Sequence, residues 1–178
     1  QTSLNFIHSF HVPKDAAIID VGGGDSKLVD FLLEEGFTNL TVLDISSEAI
    51  RRAQLRFGEN AKKVNWIVSD ITEFRSLQKY QVWHDRATFH FLTTPAQAEK
   101  YVELAESSLN AGGFMTIGTF SDKGPTKCSG LEIKRYSEQD LERALHYHFR
   151  KIRCLTEDHI TPFNTSQNFL FCSFEKVA

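Results

Sequence analysis

The stretch Ile18-Ile19-Asp20-Val21-Gly22-Gly23-Gly24-Asp25-Ser26 decides the fold. A β-branched run that begins at Ala16 stops abruptly at three glycines, and a helix-forming segment follows. In that segment, Asp25 to Glu35, the residues Leu28, Phe31 and Leu32 fall on one helical face, and Gly36 suits a left-handed cap. Glycine at a strand-to-helix turn permits positive φ and lets a ligand approach the backbone closely. The helix start behind it offers unpaired N–H groups and a partial positive charge. Three consecutive glycines exceed what a plain tight turn needs, so the loop reads as a ligand-binding one.

Outward from this loop the same rhythm repeats. Leu40 to Leu43 reads as a second buried strand, and Ser46 as the cap of a helix carrying Ala49, Ile50, Ala53 and Phe57, stopped by Gly58. Val64 to Val68 is a third strand and Tyr80 to Trp83 a fourth. Thr94, Pro95 and Gln97 form a capping-box start, followed by Ala98, Val102, Ala105 and Leu109 at helical spacing. Phe114 to Phe120 is a fifth strand. Such alternation implies parallel strands, right-handed crossovers and helices on both faces of the sheet. The end of the chain breaks the pattern. Ser137 and Asp140 can cap a short helix through His146, and then Phe149 to Leu155 and Asn168 to Phe174 follow with no helix between them. That is the signature of an antiparallel hairpin at a sheet edge. The expectation is one α/β domain, residues 1–178, built on a Rossmann-like doubly wound sheet.

The side chains near the loop discriminate among ligands. A phosphate-binding P-loop needs glycine directly before its lysine, whereas Lys27 follows Asp25 and Ser26. A GxGxxG dinucleotide loop needs a third glycine where Lys27 stands, and Asp20 would face a pyrophosphate. Asp20 suits a cationic amino group instead. Asp44, ending the second strand, is placed for ribose hydroxyls, and Asp70, ending the third, for an adenine amino group. Each acid alone also makes a helix cap, but three at successive strand ends share the edge where ligands of open α/β sheets collect. A ribose-bearing ligand with an ammonium and no phosphate fits best, and S-adenosylmethionine is such a ligand.

With these residues in place the chain resembles the class I, seven-stranded S-adenosylmethionine-dependent methyltransferases. The resemblance spans nearly the whole chain, including Leu109-Asn110-Ala111-Gly112-Gly113-Phe114 at the fifth strand and the terminal hairpin. It implies strand order 3-2-1-4-5-7-6 with strand 7 antiparallel. It also implies that Asp20, Gly22, Gly23 and Gly24 hold the methionine part, Asp44 with Ile45 the ribose side, and Asp70 with Ile71 the adenine, with S-adenosylhomocysteine as product. Ser26 departs from the pattern, standing where many members carry a further glycine. Thr2 to Phe10 reads as the tail of a helix, which carries the expectation that part of a lid precedes Gln1.

The fourth strand runs into Gln81-Val82-Trp83-His84-Asp85-Arg86, the position that lines the methyl-transfer site in the family. Methyl transfer is an in-line displacement with a neutral leaving group, so the protein positions the acceptor, excludes water and sometimes removes a proton. His84 or Asp85 is the candidate base, and Arg86 the candidate anchor for an anionic acceptor. The competing reading pairs Asp85 with Arg86 in a packing ion pair. Thr119 to Gly130, Arg135-Tyr136 and Thr161-Pro162-Phe163-Asn164 are further acceptor-facing candidates. His84, Asp85 and His90 lack a fourth ligand at a diagnostic spacing, so no metal is expected.

Bulk properties bound the partners. The net charge of −3, without a basic block, and the lack of a DPPY-like tetrapeptide argue against nucleic acid. No apolar run is long enough to span a membrane, and Gln1 to Val12 lack the features of a signal peptide. Cys128, Cys154 and Cys172 are an odd set without a CxxC pair, read as reduced thiols in a cytoplasmic, bacterial-like protein. The expected acceptor is a small molecule, with protein lysine as the alternative, and the chain is expected to be a monomer or weak dimer. A nicotinamide-dependent oxidoreductase and a non-catalytic binding protein are more distant readings.

Overall fold

A computed structural model describes residues 1–161 and 164–177. Seven strands form one sheet in the order β3-β2-β1-β4-β5-β9-β8. They are β1 (Ile18–Val21), β2 (Leu40–Asp44), β3 (Val64–Val68), β4 (Tyr80–Arg86), β5 (Leu109–Phe120), β8 (Phe149–Ile160) and β9 (Ser166–Lys176). The first five run parallel, and β9 inserts antiparallel between β5 and β8. This is the expected order, with the count raised by two because a short ribbon, β6 (Lys127–Cys128) and β7 (Leu131–Glu132), lies apart from the sheet.

β1 is central and all four of its residues are buried, as a strand covered on both faces must be. On one face α1 (Thr2–Ser9), α2 (Leu28–Glu34) and α3 (Ser47–Phe57) pack Ile7, Leu32 and Ile50 over Ile18, Val42 and Val82. On the other, α4 (Pro95–Ser108) and α5 (Glu138–Leu145) cover Ile19, Trp83, Met115 and Phe174. The helix starts form where the capping chemistry put them. Ser46 accepts from Ala49 N, and reciprocal capping boxes close at Thr94/Gln97 and Ser137/Asp140.

Several expectations are corrected. α2 begins at Leu28 rather than Asp25, so the glycine loop is longer than expected, and Phe31 is 46% exposed. The buried stripe of this short helix is Leu28, Val29 and Leu32, which turns Phe31 outward. The stretch Thr119 to Gly130 is partly structured. It leads into the β6–β7 ribbon, whose two turn residues, Ser129 and Gly130, both have positive φ, as a tight hairpin requires. The three thiols are not all reduced: Cys154 and Cys172 face each other across β8 and β9 and form a disulfide, leaving Cys128 free. Hairpin register, rather than any local spacing, brings those two together. Pro162 and Phe163 of the proposed acceptor-facing connection lie outside the described residues. Among the described residues no helix is long and apolar enough to cross a membrane, and no cluster of His, Cys, Asp and Glu could hold a metal ion.

Candidate active site

β1, β2 and β3 all end on one edge of the sheet, and a cleft of about 610 Å³ opens there. Gly22, Asp44, Ile45, Asp70 and Ile71 line one side of it, Ala87, Thr88 and Leu92 line another, and Leu131 and Glu132 of the ribbon reach its rim. The parallel register that sets β1 beside both β2 and β4 is what gathers residues so distant in sequence.

Each glycine of the loop has its own steric reason. Gly22 has φ +70°, and a Cβ on it would stand 2.0 Å from Thr88 Oγ1. A Cβ on Gly23 would stand 2.5 Å from Asp20 Oδ2, and one on Gly24 2.7 Å from the Ala49 Cβ. The loop therefore packs tightly against the segment after β4 as well as bounding the cleft.

The three acids differ in setting. Asp44 is half-buried, and its carboxylate accepts from Gly24 N at 2.9 Å and Ser46 N at 2.8 Å. Asp70 is exposed, and its Oδ1 accepts from both the N–H and the hydroxyl of Thr72, the capping geometry that competes with a ligand role. Asp20 is 2% exposed and lies behind Gly23 rather than in the cleft wall. Its Oδ1 lies 2.7 Å from His84 Nδ1, while Oδ2 is buried with no partner among the described residues.

The segment after β4 departs most from expectation. His84 and Asp85 are both buried and line no part of the cleft. His84 is held between Asp20 and the Ser3 hydroxyl, 2.8 Å from its Nε2. Asp85 accepts from Thr88 N at 2.8 Å, Phe89 N at 3.1 Å and the Tyr101 hydroxyl at 2.6 Å, and Tyr101 in turn accepts from Trp83 Nε1. Burial pushes the Asp85 carboxyl up to about 6 even though these bonds favour its ionised form. The ion pair between Asp85 and Arg86 does not form, because successive strand residues point to opposite faces of the sheet. Arg86 is exposed, its guanidinium 5.2 Å from the Phe169 ring centroid and 5.8 Å from that of Phe171, with no carboxylate partner among the described residues. The next residue, Ala87, has φ 71°, uncommon for a non-glycine residue, and faces the cleft. Sequence reasoning missed Ser3 and Tyr101, on α1 and α4, and Thr88, in the turn after β4, because no local motif surrounds them.

The methyltransferase-domain family model matches residues 18–113, from β1 into the start of β5. The chain belongs to this methyltransferase family. Over 115 residues it is 30% identical to a malonyl-acyl-carrier-protein O-methyltransferase of Anoxybacillus flavithermus, covering 64% of this chain and 41% of that protein. It is 26% identical over 121 residues to EEF1A lysine methyltransferase 2 of Mus musculus, covering 64% of this chain and 50% of that one. The chain thus spans about half the length of the curated relatives it matches. Among solved structures, the N-methyltransferase NodS of Bradyrhizobium japonicum superimposes with a TM-score of 0.78 at 15% identity, covering 99% of this chain and 95% of that one. A 1,6-didemethyltoxoflavin N1-methyltransferase of Burkholderia thailandensis gives 0.77 at 19%, covering 100% and 78%. At these identities the likeness is one of fold. Family and sheet order together make this methyltransferase a class I, Rossmann-like one, with S-adenosylmethionine as its cofactor.

Proposed function

We propose that this methyltransferase moves the methyl group of S-adenosylmethionine to a small acceptor that carries an anionic group. Two features of the chain fit the cofactor. The buried Asp20 Oδ2 lacks a donor among the described residues beneath the side-chain-free Gly23, and the cleft presents Asp44 and Asp70 beside the apolar Ile45 and Ile71. In this reading Asp20 and Gly22 to Gly24 hold the methionine part, Asp44 the ribose hydroxyls, and Asp70 with Ile71 the adenine. When bound, the cofactor supplies an electrophilic methyl on a sulfonium that leaves as a neutral thioether. The chain's own contribution is then to orient the acceptor and keep water out. His84 and Asp85 are fully committed to buried partners, so they shape the site, and neither serves as its base.

Arg86 is the observation that carries the acceptor class. It is a guanidinium without a counter-charge among the described residues, held on an aromatic platform one residue from the cleft wall. Such a group binds a carboxylate or phosphate and repels the ammonium of a lysine. The named lysine methyltransferase relative favours the second reading, a protein acceptor. Titration with S-adenosylhomocysteine should give micromolar binding and a raised Tm, whereas NADH should do neither. A labelled-cofactor screen of anionic small molecules against lysine-bearing protein then tests the acceptor. For a true acceptor, Arg86→Ala should raise KM by about tenfold or more with kcat nearly kept. Methylation of lysine alone, unaffected by Arg86→Ala, would reject the small-anion reading.

A further inference from the structure

Three side chains make an uninterrupted hydrogen-bonded line from helix α1 to the glycine loop. Ser3 Oγ lies 2.8 Å from His84 Nε2, and His84 Nδ1 lies 2.7 Å from Asp20 Oδ1. A carboxylate only accepts, so Nδ1 carries the hydrogen and donates to Asp20, and Nε2 shares a hydrogen bond with the serine hydroxyl. The imidazole is 1% exposed and the aspartate 2%, so water does not compete for the bond between them, while Ser3 at the other end is half-buried. Among the described residues Asp20 Oδ2 is left buried without a partner, directly beneath Gly23. A buried carboxylate oxygen in that state calls for a donor.

We propose that His84 is a positioning residue that clamps Oδ1 of Asp20, aims Oδ2 at the cofactor's ammonium, and through Ser3 couples the docking of α1 to cofactor binding. The proposal rests on the cofactor reading above. The order of the three groups is that of a hydrolase triad. Ser3, however, sits on a helix packed against the sheet and does not line the cleft, so the line transmits position rather than activating a nucleophile. Coupling of this kind is reciprocal: if the cofactor orders α1, loosening α1 weakens the cofactor.

The test compares the unmodified protein with Ser3→Ala, His84→Asn and His84→Leu. Each is titrated with S-adenosylhomocysteine by calorimetry, and amide exchange across residues 2–9 is followed with and without it. In the unmodified protein S-adenosylhomocysteine should slow exchange across α1. His84→Leu removes both bonds and should weaken binding about tenfold or more. His84→Asn keeps a donor near the Nδ1 position and should recover to within about threefold, a rescue that a role in packing alone does not give. Ser3→Ala should lose only about two- to threefold in affinity but abolish the ligand-induced protection of α1. Unchanged affinity in His84→Leu, or full protection of α1 in Ser3→Ala, overturns the proposal while leaving the cofactor reading intact. Should His84→Leu fail to fold, the asparagine and Ser3→Ala variants decide the matter alone. Absence of S-adenosylhomocysteine binding by the unmodified protein would overturn the cofactor reading itself, and the relay with it.

Discussion

Asp44 shows how one residue can serve fold and ligand together. Its two oxygens accept from the N–H groups of Gly24 and Ser46, tying the glycine loop to the start of α3, while the carboxylate borders the cleft. Asp44→Ala should therefore weaken S-adenosylhomocysteine by about 10- to 150-fold, the worth of a charged acceptor. It should also lower Tm by a few degrees, because two backbone donors lose their partner. Calorimetric titration and a thermal scan of the same sample check both, and an unchanged Kd would place the ribose elsewhere. Gly22 gives a sharper structural prediction. Alanine there meets Thr88 Oγ1 and keeps φ at +70°, so Gly22→Ala should destabilise by about 2–4 kcal/mol. Adding Thr88→Ala should relieve the steric part and leave about 1–2 kcal/mol of backbone strain, read from urea unfolding midpoints. At this scale the sequence showed Asp44 at the end of β2, where the hydrophobic run stops, whereas Asp20 lies one residue before the end of β1 and Asp70 two beyond the end of β3. The partnership of Ser3 with His84 was not legible, since the two are 81 positions apart and meet only through the packing of α1. The Asp85–Arg86 pairing failed for a reason the sequence did contain: neighbours on a strand cannot face one another.

Helix starts were the most legible of the elements, because a cap is a local bargain between a side chain and an N–H three residues on. Ser46, Thr94 and Ser137 each made the bond their spacing announced. Strand ends were less so. β5 runs back to Leu109 and the terminal hairpin extends beyond both expected strands, since ladder length depends on the neighbouring strand. The Cys154–Cys172 disulfide belongs to the same class of hidden feature, being set by hairpin register. It crosslinks strands already joined by a ladder, across a sequence separation of 18 residues. Chain-entropy arguments for a loop of that size give at most about 3 kcal/mol. Cys154→Ser should therefore leave the fold intact but lower Tm by up to about 6–12 °C. Excess reductant should bring the unmodified protein down to the variant's Tm and leave the variant unmoved. Equal melting of both proteins without reductant would show that the crosslink adds no stability.

The stability of the whole molecule against pH rests partly on two buried groups that flank the turn after β4 and act in opposite directions. Burial raises Asp85 from 3.8 to about 6, so between those values the folded chain holds a proton that the unfolded chain has released. Its contribution is full below about pH 4 and is lost, to the extent of about 3 kcal/mol, as pH rises through 6. Burial lowers His90 from 6.5 to about 4, so in nearly the same window the unfolded chain is the one that binds the extra proton. That contribution is full above about pH 6.5 and is lost, again by about 3 kcal/mol, as pH falls through 4. The two slopes nearly cancel, so between about pH 4 and 6 this pair of groups adds almost no net pH dependence. Removing either group should expose the other. Asp85→Asn should gain stability with rising pH across the window, through the remaining histidine. His90→Asn, whose amide oxygen can still accept from Phe120 N, should lose stability over the same range. Carboxylates held low by basic partners, such as Glu106 beside Lys176, act below their ordinary 4.5 and are common to all three proteins, so they drop out of the differences. Urea unfolding of the three proteins at pH 4, 5, 6 and 7 measures those differences directly. Parallel curves for all three would mean that neither buried group changes protonation on unfolding, and opposite slopes for the two variants are the expected result.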